Sequence, residues 1–113
     1  MNNAMNLSPY RIMWLFVMFD LPVGTSRERK QATRFRNDLL DLGFEMSQFS
    51  IYLKYCASGE KADAISGRIP PLLPPGGKVD VLCITDRQYS NMRRYHGRRT
   101  KKTNGSPRQL RLF

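Results

Sequence analysis

Ile12 to Phe19 is an unbroken apolar run, Ile-Met-Trp-Leu-Phe-Val-Met-Phe, hydrophobic on both parities. A strand with one wet face would alternate, so this run predicts a central strand covered on both sides. Pro22 and Gly24 then punctuate the backbone and end it. Thr25-Ser-Arg-Glu28 reads as a capping box, in which the threonine hydroxyl and the glutamate carboxylate satisfy each other's backbone amides. Ala32, Phe35, Leu39 and Leu42 follow at helical spacing and form one apolar stripe, and Gly43 closes the helix as a left-handed cap. Residues 44–46 predict a short strand and residues 48–56 a longer one. In the longer strand Phe49, Ile51, Leu53 and Tyr55 point one way, and Ser50, Tyr52 and Lys54 the other. Ser58 caps a second helix reaching about residue 69, where Pro70-Pro71 and Pro74-Pro75-Gly76-Gly77 stop it. Residues 78–85 predict another strand, 86–92 a turn, and 93–96 a final edge strand.

The order β-α-β-β-α-β with an added C-terminal edge strand predicts an α+β, ferredoxin-like fold, with two helices on one face of an antiparallel sheet. The other face has no helix, yet the first strand is apolar on both sides. A second copy packing through the open sheet face is the expected cover, because two-fold dimers are the commonest assembly and monomers seldom expose large apolar patches.

The chain's 113 residues allow one domain, expected over residues 11–97, between a flexible leader at 1–10 and a basic tail at 98–113. Charge adds what the hydrophobic pattern lacks. Residues 1–86 carry ten basic and nine acidic side chains, whereas residues 87–113 carry nine basic and none acidic, giving +10 in all. A balanced body with a polybasic end suits either a polyanionic partner or a solubility tail. The stripe Arg27, Lys30 and Arg34, flanked by Arg29 and Arg36, adds cations to the first helix. Arg93, Arg94, Arg98 and Arg99 add more after the last strand.

Cys56 and Cys83 form no metal-binding spacing and read as reduced core thiols. The run 12–19 is too short to span a bilayer and has no cleavage site behind it, so the expected place is the cytoplasm, away from membranes. There is no phosphate loop, dinucleotide fingerprint or zinc spacing, and His96 is the sole histidine. Asp20, at the mouth of a buried strand, has two readings. It bonds the turn before the first helix, or it offers a hard oxygen to Mg²⁺. Phosphodiester cleavage uses several oxygens around the metal, so the second reading brings two copies of Asp20 together across a dimer axis.

Leu15-Phe-Val-Met-Phe-Asp-Leu-Pro22, Arg29-Lys-Gln-Ala-Thr-Arg-Phe-Arg36, Leu42-Gly-Phe44 and Gln48-Phe-Ser-Ile-Tyr52 together resemble the CRISPR-associated protein 2 family. Ile84-Thr-Asp-Arg-Gln-Tyr89 resembles members that accompany single-protein effectors. The resemblance implies a homodimer that joins the CRISPR integrase to capture and insert spacer DNA. It also implies a Mg²⁺-dependent endonuclease activity on RNA or DNA. By motif position Asp20 is the metal ligand and Phe19 its aromatic neighbour, where many members carry tyrosine. Arg29, Lys30, Arg34 and Arg36 face duplex DNA, single-stranded RNA or the dimer seam. Gln48, Ser50 and Tyr52 lie on the sheet face toward the partner copy. The alternative outside the family is a stand-alone ferredoxin-like RNA-binding module that stacks bases on Tyr52 and Phe19.

Overall fold

In the computed structural model, which describes residues 11–98, the apolar run becomes β1 (Met13–Asp20) at the middle of a four-stranded sheet. The chain continues through α1 (Ser26–Asp41), β2 (Glu45–Gln48), β3 (Ile51–Cys56), α2 (Gly59–Ser66), β4 (Lys78–Thr85) and α3 (Asp86–Ser90). Strand order is β2-β3-β1-β4, with every neighbouring pair antiparallel. This is the expected split β-α-β arrangement, with β3 inserted between β1 and β2. The expected leader and most of the basic tail, Arg99 included, lie outside the described residues.

The two faces of β1 have different fates. Met13, Leu15, Val17 and Phe19 point under the helices and are buried. They pack with Ala32, Phe35 and Leu39 of α1, Phe44, Tyr52 and Cys56 of the sheet side, and Ala62 and Ile69. Trp14, Phe16 and Met18 point to the open face and are half-buried. In register beside them stand Tyr55, Leu53 and Ile51 of β3 and Ile84 and Leu82 of β4.

The α1 capping box forms as read. Thr25 Oγ1 accepts from the Glu28 amide at 3.1 Å, and Glu28 Oε1 accepts from the Thr25 amide at 3.0 Å. Gly43 adopts φ +99°, the left-handed region in which a side chain is strained.

Four elements differ from expectation. Residues 48–56 are not one strand: Phe49 and Ser50 make a tight turn, so Gln48 pairs back onto Ile51. The turn has none of the Gly or Asn chemistry that marks a hairpin, so the pattern reads straight through it. α2 stops at Ser66, because Pro70 disfavours helix at the residue before it and Gly67 supplies the cap. Residues 86–90 are helical rather than a turn, started by a second capping box between Thr85 and Gln88.

Finally, residues 93–96 form no strand. α3 turns the chain over the open face, away from the free edge of β4, and Arg93 to Gly97 are exposed. A strand exists only where an edge is there to pair with it. α3 also covers part of what was assigned to a second copy. Tyr89 stacks on Trp14 with ring centroids 3.9 Å apart, and Trp14 Nε1 donates to Asp86 Oδ1 at 2.8 Å. The rest of the face stays apolar and open, with Tyr55 50% and Leu82 48% exposed.

Candidate nucleic-acid interface

Asp20 is the last residue of β1 and is exposed. Its cross-strand partner is Lys78, the first residue of β4. The cap of α1 is supplied by Thr25, which takes over the helix-starting role the turn reading offered to Asp20. Because α1 starts six residues beyond Asp20, its basic first turns stand at the same end of the sheet. Arg27, Arg29, Lys30 and Arg34 are exposed there, and Ser26, Arg29, Lys30 and Thr33 line a shallow depression.

Arg29 is partly committed: its Nη1 donates to the Val23 carbonyl at 3.2 Å. Arg36 is committed further. Its guanidinium lies 4.3 Å from the Phe49 ring centroid and 5.8 Å from that of Phe19, within cation–π range of both. Its Nε is buried and has no acceptor among the described residues.

Ser50 is tied to the Asp20 end of the sheet, its carbonyl accepting from the Phe19 amide at 3.1 Å. Gln48 is exposed opposite Ile51. Tyr52 corrects an expectation. It pairs with Val17, shares the helix-covered face and is 3% exposed, so it does not lie toward a partner copy. Phe19 is buried beside it, with ring centroids 5.5 Å apart and Phe35 completing the cluster at 5.1 Å. Neither ring is open to a stacked base, so both aromatics assigned to the RNA-module alternative are core residues instead. The reason is parity: β1 and β3 turn these positions to the same side as the α1 stripe.

Arg93, Arg94 and Arg98 are exposed beyond α3. α3 itself starts at the end of β1 away from Asp20, where the Asp86 amide donates to the Ile12 carbonyl at 3.2 Å. Lys78 and Phe49 were missed by the sequence reading, because only long-range pairing brings them to the Asp20 end.

Asp80, across from Met18 on β4, is a second carboxylate on the same face of the sheet as Asp20, at the diagonal position. Among the described residues no group of three or more His, Cys, Asp or Glu side chains stands where it could hold a metal ion. The described residues of one chain therefore assemble no complete Mg²⁺ ligand set. Burial raises the Cys56 thiol above its ordinary value, partly offset by Lys54, which keeps it protonated and inert at neutral pH. Among the described residues no helix is long and apolar enough to cross a membrane.

Comparison with known proteins identifies the family and supports the fold. A family model described as CRISPR associated protein Cas2 matches residues 13–92. A Paracidovorax avenae protein named CRISPR-associated endoribonuclease Cas2 is 50% identical over 107 residues, covering 95% of this chain and 99% of that one. A Flavobacterium psychrophilum protein of the same name is 47% identical, covering 95% and 93%. A solved crystal structure of Cas2 matches with a TM-score of 0.55 over 84% of this chain and 97% of that one. At 16% identity it speaks for the fold. By the family model and by its identity to these relatives, this chain belongs to the CRISPR-associated Cas2 family.

Proposed function

We propose that this chain is a homodimeric nucleic-acid-binding scaffold of CRISPR adaptation, which joins the integrase subunit to capture and insert spacer DNA. One observation carries the reading: α1 presents Arg27, Lys30 and Arg34 as an exposed cationic stripe on a chain of net charge +10. Each cation set on a phosphate releases condensed counterions, so a surface of this kind binds duplex DNA with little regard for sequence. Arg93, Arg94 and Arg98, exposed beyond α3, add further cations to the surface. The open apolar face around Leu82 and Tyr55 supports the dimer.

The relatives' name, endoribonuclease, supports adding hydrolysis of phosphodiesters to this reading. Asp20 is the carboxylate we assign to it, shared with the second Asp20 of the dimer around Mg²⁺. Asp20 by itself offers too few oxygens for the task, so scaffolding is the main role and cleavage the secondary one.

The test is a gel assay with wild type and Asp20→Ala on labelled duplex DNA and single-stranded RNA, with Mg²⁺ or chelator. Cleavage by wild type alone, only with Mg²⁺, and with binding retained in the variant, supports the catalytic Asp20. Binding by both and cleavage by neither leaves the scaffold and removes the nuclease. Binding by neither protein removes both.

A further inference from the structure

Phe49 is an exposed aromatic for which the fold gives no structural reason. It is 69% exposed and occupies the first position of the tight β2–β3 turn, where Gly, Asn or Asp suits the backbone better. It adds nothing to the buried core, which is complete without it. Yet its ring is held in place, because the Arg36 guanidinium lies 4.3 Å from its centroid. Arg36 in turn lies toward Phe19, with its Nε buried and lacking an acceptor among the described residues. A buried donor without a partner is costly, and a side chain used only for packing would leave it in water. The arrangement yields a rigid aromatic plate backed by a fixed positive charge and still largely open to solvent.

We infer that the exposed side of Phe49, held by Arg36, is a stacking platform for one unpaired base of a single-stranded nucleic acid passing Asp20. This rests on the nucleic-acid-binding reading above and adds what the strand must be. A flat apolar ring offers a base a stacking surface without sequence preference, and the guanidinium behind it suits the neighbouring phosphate. Bases within a duplex are already stacked on each other and present only their edges. The plate therefore favours single strands, splayed ends or loops over continuous duplex. Its position fits a backbone reaching Asp20. Ser50, the next residue of the turn, accepts the Phe19 amide at 3.1 Å, and Phe19 immediately precedes Asp20.

The experiment uses the full chain and a single-stranded RNA carrying 2-aminopurine, with a duplex DNA of similar length as the second ligand. Stacking quenches 2-aminopurine, so the quench reports the plate directly. Phe49→Ala and Phe49→Leu should weaken single-strand binding about ten-fold, the usual scale for one stacked base, and abolish the quench. Both should leave duplex binding within about two-fold of wild type. Phe49→Trp should retain binding and quench, which a merely apolar role would not require. Circular dichroism melts should coincide with wild type, since the ring lies outside the core. Single-strand binding unchanged in Phe49→Ala, beside a wild type that binds duplex, overturns the platform and leaves the scaffold reading intact. An equal loss on both ligands also overturns it, because Phe49 would then act by shaping the basic helix. A wild type that binds neither ligand overturns both readings together.

Discussion

Position along a strand decides the chemistry of single residues here. Tyr52 and Tyr55 are three residues apart in β3. One is 3% exposed against Phe19 and the other 50% exposed beside Trp14, because odd and even positions take opposite faces. Cys56 shares parity with Tyr52 and is buried with its thiol pKa raised. A thiol held above its unfolded value stabilises the fold while it keeps its proton. That contribution is full below the ordinary thiol value of 9.0 and is lost as pH rises through the higher folded value. Urea midpoints should therefore fall above about pH 9 by more in wild type than in Cys56→Ala, a difference that isolates the thiol from other alkaline groups. Equal slopes for the two proteins would take the alkaline loss away from Cys56 and leave it with other groups, among them Cys83, whose thiol burial also raises.

At the scale of elements, both of the longer helices start where a hydroxyl residue meets its third neighbour's amide. Thr25→Ala should cost about 1 kcal/mol and lower the melting temperature by roughly 4–8 °C, read by calorimetry. An unchanged melt would mean that burial of Phe35 and Leu39 fixes the start of α1 without its cap. α3 depends on tertiary contact more than on its cap, since five residues are too few to form a stable helix alone. Trp14 is the sole tryptophan, so its emission reports this contact. Tyr89→Ala should shift Trp14 emission to the red and make it more accessible to acrylamide, with the far-ultraviolet dichroism of the sheet unchanged. The same Thr85–Gln88 box was there to be read in the sequence. No apolar stripe follows it, however, and five residues offer less than two turns of period, so the pattern alone does not mark a helix there.

For the molecule as a whole, the open face is the unfinished surface. Trp14 and Phe16 are partly roofed by Tyr89, while Leu82 and Tyr55 remain about half exposed. In the proposed homodimer this face lies between copies. Sedimentation should give twice the 13.1 kDa chain mass for wild type, and Leu82→Arg should return it to one chain. A wild type that sediments as a single chain would remove the dimer, and with it the sharing of Asp20. The hydrophobic pattern was enough for the sheet's central strand, the α1 core stripe, the caps at Thr25 and Gly43, and the split β-α-β order, because each is a local or periodic property. The family motifs were also legible, since they are runs of neighbouring residues. Tertiary structure alone decided which side Tyr52 takes and that residues 93–96 stay unpaired. It also decided that Lys78 stands across from Asp20 and that Arg36 backs Phe49. Those outcomes depend on register and on which edges are free, and pairing between residues 13 to 58 positions apart leaves no periodic trace in either partner's own segment.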